Sequence, residues 1–492
     1  MNQPASTPQS TGLPATGVPA EELLAELRAL RANDLPTHGG RTLAYVYDSG
    51  LAGLDELASA AHALASSTNG LDPTAFPSLL RMENEIVAAA AALLGGDKET
   101  VGSVTSGGTE SCLLAVHAAR AARPDIVHPR IVLPDTAHAA FHKAAHYFGI
   151  EVVSVPVDPE TFLADPDAMA AAIDEYTVLV VVSAPSYAHG VVDPVAPIAA
   201  AAAERGVRCH VDACIGGWVL PYFRRLGVST PDFDFTVPGV TSISVDLHKY
   251  AYCPKGTSVL LHASAELRRP QFFASASWPG YTMLNSTIQS TRSGGPLAAA
   301  WVVLRHIGDH GYRTLAERTL MAARTLRAGI EKIDGLRVLG EPNAALLAVT
   351  TVDSAGFDVF TVADEMTARR WYLQPQFGHG ASPANLHLTV TAANRGTEDE
   401  LIGDLADAVA AARTAGPVRL SPELTSVIAA LDPASLSADE FAGLLGVVGL
   451  DGDGVVPKRM ADINAMLAVA SPELRERFLV EFLSSVYRPA AG

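Results

Sequence analysis

Between residues 100 and 262 the apolar positions alternate between helical spacing and short, nearly continuous Val/Ile/Leu runs. Those runs, at 102–105, 131–133, 152–155, 178–182, 208–211, 242–245 and 258–261, predict seven strands. Amphipathic or alanine-rich stretches between most of them predict helices. Strands apolar on both faces and separated by helices mean a mostly parallel sheet covered on each side. Ahead of it, residues 20–32 and 51–66 carry apolar positions at helical spacing, and 76–87 leads into a long alanine-rich helix. After a long helix near 297–310 the pattern predicts a smaller α+β unit, with strands at 336–339, 345–352 and 386–390. From Ser421 onward short helices alternate with Asp/Gly/Pro-rich turns and end in a helix over 472–487. The expected organisation is a disordered tail (1–18), an N-terminal helical segment (19–99), a large cofactor-sized sheet domain (100–320), a small α+β domain (321–415) and a C-terminal helical extension (416–492).

Composition adds few constraints. Of 492 residues 48% are apolar and 18% charged, which suits several packed domains. A formal net charge of −18 argues against a nucleic-acid partner but leaves room for a local basic pocket. The longest apolar runs fall short of the ~20 residues a membrane helix needs, and no secretory signal pattern is seen. Four cysteines without CxxC spacing read as free thiols of a reducing, cytoplasmic compartment.

The chemistry clusters where strands end, which is where open α/β sheets bind ligands. Thr105-Ser-Gly-Gly-Thr-Glu-Ser111 follows a strand and opens a helix. Gly107 and Gly108 let backbone approach an anion, the helix N-terminus offers free N–H groups, and Ser106 and Thr109 add hydroxyls. His138 follows the second strand and could stack on a flat ring. Asp212 ends the fifth, where a carboxylate could hold a proton on a ring nitrogen or simply cap a helix. Lys249 follows the sixth strand in Ser244-Val-Asp-Leu-His-Lys249. There desolvation is expected to lower its pKa and free its amine for a carbonyl. A phosphate cup, a stacking ring, a carboxylate and a nucleophilic lysine, each after its own strand, together suit pyridoxal phosphate. The spacing of His138, His142 and His146 also admits a metal-ligand set on one helix face, but no carboxylate can be placed to support it and no metal is expected. Asp451-Gly-Asp-Gly454 lacks the later acidic ligands of a calcium loop and reads as a turn.

These motifs, with Thr136-Ala-His-Ala-Ala-Phe141, His210-Val-Asp-Ala-Cys-Ile-Gly-Gly217, Pro254-Lys-Gly-Thr-Ser258 and Ser290-Thr-Arg-Ser-Gly-Gly295, resemble the pyridoxal-phosphate-dependent group II decarboxylase family. Within it they look most similar to the lyases that act on sphingosine 1-phosphate. The resemblance runs from about Tyr45 to Asn394. It implies the aspartate aminotransferase-like fold (fold type I) and pyridoxal 5'-phosphate as cofactor. By the same resemblance Lys249 condenses with the cofactor aldehyde, Asp212 pairs with its ring nitrogen and His138 stacks on the ring. Ser106, Gly107, Gly108, Thr109 and His248 hold its phosphate. Gly294 and Gly295 come from the partner subunit of a homodimer with shared active sites.

Two reactions on a small-molecule amine share that machinery. One is carbon–carbon cleavage of a phosphorylated amino alcohol to an aldehyde and phosphoethanolamine; the other is decarboxylation of an amino acid. Lys255 in Pro254-Lys-Gly256 resembles the lysine with which the lyases hold a substrate phosphate, and favours the first. Tyr47 and Tyr252 are candidate substrate-channel residues, though core tyrosines would read the same way. The chain departs from the lyase pattern at Asp72, where histidine is usual, at Ala251, where glycine is usual, and at Thr291-Arg-Ser-Gly294, which lacks a proline.

Overall fold

The computed structural model describes residues 12–14, 16–352, 354–432, 436, 443 and 459–487. Most of the expected N-terminal tail and the 451–454 turn lie outside them. All seven expected strands of the large sheet are present. They are β1 (Val101–Thr105), β2 (Arg130–Pro134), β3 (Glu151–Val155), β4 (Thr177–Ser183), β5 (Arg208–Asp212), β6 (Val240–Asp246) and β7 (Ser258–His262). Their order is β1-β7-β6-β5-β4-β2-β3. Every pairing is parallel except those of β7, which runs antiparallel to both neighbours. Strands β1, β2, β5 and β6 therefore all end on one edge, so the residues that follow them converge without any long loop.

Burial follows the same order. Every residue of β4, in the middle, is buried, whereas the outermost strand β3 is exposed or half-buried over most of its length. Ile131 and Leu133 of β2, with Val178, Leu179 and Val181 of β4, share one core cluster with Cys112, Val116, Phe141 and Ala144. The last four belong to two covering helices, Gly108–Ala121 and Ala140–Phe148. Continuous aliphatic strands need cover on both faces, and alanine-rich helices can approach them closely.

A hairpin of β8 (Phe273–Ser275) and β9 (Met283–Asn285) follows; the chain pattern alone did not reveal it. The long helix spans Gly294–Ile330, well beyond the expected 297–310, and breaks helical geometry only at Gly308. The smaller antiparallel sheet contains β10 (Leu336–Val338), β11 (Leu346–Thr351), β12 (Gln374–Gln376) and β13 (Asn385–Thr389), in the order β10-β11-β13-β12. β12 went unforeseen because it is three residues long and holds Pro375, which only an edge position tolerates.

Contacts divide the chain into two compact units, and the second sheet belongs with the first. The other unit takes in residues up to Pro36, Gly356–Arg370 and Asp407 onward. Inside it, the Asp364 carboxylate accepts N–H bonds from Met460 and Ala461 and so caps the helix Ala461–Val469. Among the described residues no helix is long and apolar enough to cross a membrane.

Candidate functional site

The edge where β1, β2, β5 and β6 end encloses a cavity of about 410 Å³. Ser106, Gly107, Gly108, Thr109, His138, Asp212, His248 and Lys249 all line it. The first helix of the site starts at Gly108. A Cβ on Gly108 would lie 2.7 Å from both Asp246 carboxylate oxygens and 2.9 Å from Cys214 Sγ, so no larger residue fits there. Glu110, in the first turn, accepts N–H bonds from Ser106 (2.6 Å) and Ile288 (2.9 Å), which fixes the loop that presents the helix N-terminus.

Asp212 is buried at the end of β5. Its Oδ1 accepts the Cys214 N–H (3.1 Å) and the Ser244 hydroxyl (3.3 Å), and the parallel register sets Ser244 directly beside it. Two residue pairs earlier, His210 lies between the Ser242 and Ser244 hydroxyls. Burial lowers the pKa of its imidazole to about 4, so it is neutral. His138 is held by the Ala140 N–H, which bonds to its Nδ1 (3.1 Å), and its ring stands edge-on to Tyr187. His138 precedes the helix Ala140–Phe148 instead of lying within it, so His138, His142 and His146 do not share one helix face. Among the described residues the one group with metal-ligand spacing is Cys112, Asp212 and Cys214.

Lys249 differs from expectation in one respect. Burial does push its pKa down, but the Asp246 carboxylate, with Nζ 2.9 Å from Oδ2, outweighs burial, helped by Tyr47, Cys214 and Asp212. The net direction is well above the ordinary lysine value. Asp246 is itself held low: burial opposes this, but Lys249, His248 and a Ser258 hydroxyl bond (2.5 Å) prevail. His248 bonds through Nδ1 to the Thr257 carbonyl, which can only accept, so Nδ1 carries the proton and Nε2 faces Asp246 at 3.6 Å.

Asp246 and Glu110 are the charged residues of the cavity to which the motifs assigned no role. A signal for Asp246 was available: Ser242, Ser244 and Asp246 alternate along β6 and must share one face, and Asp246 precedes Lys249 by three. Tyr187 also lines the cavity, stacked on His387 with its hydroxyl donated to Gln374 (2.6 Å). Nothing in the sequence pattern singled it out.

Of the candidate substrate residues, Lys255 and Tyr47 lie close enough to Lys249 to feel its charge. Lys255 is exposed as a residue, but its ammonium turns back onto the Tyr45 carbonyl (2.9 Å) and over the Tyr47 ring (5.3 Å). Lost hydration and the neighbouring Lys249 charge bring its pKa down to about 8. Tyr252 is instead buried away from the cavity, its hydroxyl bonded with Thr319 and accepting the Ala392 N–H. Gly294 and Gly295 also lie outside the cavity in the single chain. Cβ atoms there would strike Thr68 and His62. A second cavity of about 310 Å³, lined by Trp218 and Trp301, has no lysine, cysteine, serine or histidine in its lining, and its Arg225 and Arg305 are already paired with Asp309 and Glu85.

The model of the pyridoxal-dependent decarboxylase conserved domain matches residues 43–350. The chain belongs to that family. A model for a helix-turn-helix-like domain at the C-terminus of pyridoxal-dependent enzymes matches residues 422–485. The chain is 37% identical to sphingosine-1-phosphate lyase of Dictyostelium discoideum over 398 residues, 81% of this chain and 74% of that protein. It is 37% identical to the Arabidopsis thaliana sphingosine-1-phosphate lyase over 407 residues, 81% of this chain and 73% of that one. The solved sphingosine-1-phosphate lyase of Burkholderia pseudomallei superposes with a TM-score of 0.77 at 38% identity, covering 82% of this chain and 93% of that chain. Glutamate decarboxylase of Lactobacillus brevis has the same fold, with a TM-score of 0.74 at 21% identity over 84% of this chain and 97% of its own.

This family membership makes the chain a lyase dependent on pyridoxal phosphate, and the cavity fits that cofactor. An amine, a buried carboxylate and a helix N-terminus flanked by hydroxyls are the donors it needs.

Proposed function

We propose that the chain cleaves a phosphorylated amino alcohol of the sphingosine 1-phosphate type at its Cα–Cβ bond, giving an aldehyde and phosphoethanolamine. The observation that carries this reading is Lys255. It is a second ammonium near Lys249 with no carboxylate within ion-pair distance among the described residues, which suits a substrate phosphate and which an amino-acid substrate does not require.

Bound pyridoxal phosphate supplies the electron sink for the pair left when the Cα bond breaks. Lys249 would hold its aldehyde carbon, Asp212 would keep a proton on its ring nitrogen and His138 would lie against the ring. Ser106, Gly107, Gly108, Thr109 and His248 bind the cofactor phosphate, and Gly294 and Gly295 of the partner subunit complete that end of the site. The working form in this reading is a homodimer. Lys255 and Tyr47 would position the substrate head and so orient the bond that breaks, an effect that can contribute several kcal/mol. Four buried free thiols support a reducing, cytoplasmic setting. Residues 422–485 contain ten acidic and four basic side chains, the reverse of a nucleic-acid-binding surface.

A product assay tests this. Purified protein receives a phosphorylated long-chain amino alcohol in one reaction and aromatic and acidic amino acids in another, with Lys249→Ala as blank. Phosphoethanolamine with a fatty aldehyde is the expected result. Carbon dioxide and an amine from an amino acid, without aldehyde, would make the chain a decarboxylase.

A further inference from the structure

Cys112, Asp212 and Cys214 each offer one ligand atom to the cofactor cavity, and the three atoms lie within 4.8 Å of one another. We infer that these three side chains bind one thiophilic divalent cation, of the zinc class, when the cofactor is away. The fourth position would face the cavity.

The geometry suits such an ion. Zinc–sulfur bonds of about 2.3 Å at a tetrahedral centre bring two thiolates to about 3.8 Å apart, inside the observed spread. Two thiolates and a carboxylate are a soft-to-borderline donor set that selects zinc-like ions over magnesium or calcium. Asp212 is already oriented by the Cys214 N–H and the Ser244 hydroxyl, the kind of outer support that fixes a ligating carboxylate.

Electrostatics favour a dication. Lys249 pairs with Asp246, whereas Asp212 forms no ion pair among the described residues. The Cys112 thiol is drawn down by its bond with Cys214, but burial and the Asp212 and Asp246 charges prevail and push it up. Its bond with Cys112, burial and the same two carboxylates push Cys214 well up. The Asp212 and Asp246 charges that help keep protons on these thiols also favour a dication in their place, against burial and the nearby Lys249 ammonium. Binding replaces two S–H bonds by two metal–sulfur bonds and releases two protons. Cys209 and Cys253 are buried too, but belong to no such cluster.

One consequence rests on the function proposed above. If Asp212 pairs with the cofactor ring nitrogen, an ion on Asp212 and the cofactor exclude each other.

Cobalt(II) is the probe, added to full-length protein freed of cofactor, because its thiolate complexes absorb by charge transfer. The expected result is a saturable thiolate–cobalt band at one ion per chain. Cys112→Ser and Cys214→Ser should abolish it, Cys209→Ser should leave it intact, and Asp212→Asn should weaken binding at least tenfold. Absence of the band in the wild type, or its persistence in both Cys112→Ser and Cys214→Ser, would overturn the site. Pyridoxal phosphate is then added to the cobalt-loaded protein. Loss of the band as cofactor absorption appears supports both readings. Loading with the band retained upholds the metal site and removes Asp212 from its proposed place at the ring nitrogen.

Discussion

Lys249 Nζ lies 2.9 Å from Asp246 Oδ2, and the Asp246 side chain is 3% exposed. The lysine proposed to react with a carbonyl is therefore held as an ammonium by a buried carboxylate three residues earlier. Its neutral, nucleophilic form becomes populated only at alkaline pH, because its pKa is raised.

Asp246→Asn removes the charge that raises that pKa, so the amine gives up its proton at lower pH. Cofactor loading of the stripped protein, followed through cofactor absorption, is expected to be faster at pH 7, with its pH–rate profile displaced toward acid. An unchanged profile would show that Asp246 does not control the amine.

Lys255 provides a pH dependence of its own. With a pKa of about 8 it is cationic below that pH and loses its charge above it. Its contribution to holding a substrate phosphate should fade as pH rises through about 8. Lys255→Ala is expected to lower kcat/KM for a phosphorylated substrate by about 10- to 150-fold, corresponding to the ~1.5–3 kcal/mol of a hydrogen bond to a charged group. Cofactor absorption should not change. Equal activity with and without Lys255 would remove it from the substrate site.

Gly108 and Gly403 make a matched pair for stability. Gly108→Ala drives a methyl against the Asp246 carboxylate and Cys214, and should cost about 1–3 kcal/mol with weakened cofactor retention. Gly403 sits exposed in the helix Glu398–Ala415 with nothing within 4 Å of a Cβ. Gly403→Ala should stabilise by about 0.5–1 kcal/mol. Denaturant midpoints of the two variants test both signs.

Acid stability should reflect buried neutral histidines. Burial lowers His210 and His189 to about 4, and His262 and His387 to about 3. In the unfolded chain each takes a proton near pH 6.5. The unfolded state therefore binds more protons than the folded state between about 6.5 and 4, and stability falls as pH drops through that window. Thermal midpoints from pH 7 to pH 5 should decline. For a His210→Gln variant that still folds, the decline should be shallower.

The chain pattern by itself determined the large sheet. Continuous aliphatic runs at 131–133, 178–182 and 208–211 cannot remain exposed on either face, so they become central parallel strands whatever surrounds them. It also determined the cluster of Ser106–Thr109, His138, Asp212, His248 and Lys249, because each follows a strand that ends on the same edge. Tertiary structure decided what periodicity cannot encode. Strands β8, β9 and β12 are three residues long and exist only through their pairing partners. Tyr252 lies two residues from Tyr250 yet packs against Thr319 of a helix far along the chain, so its place in the core was settled by a contact between distant segments. The charge state of Lys249 was decided in the same way. Burial alone lowers a lysine pKa and a carboxylate at 2.9 Å raises it, and only the folded distance between Lys249 and Asp246 determines which prevails.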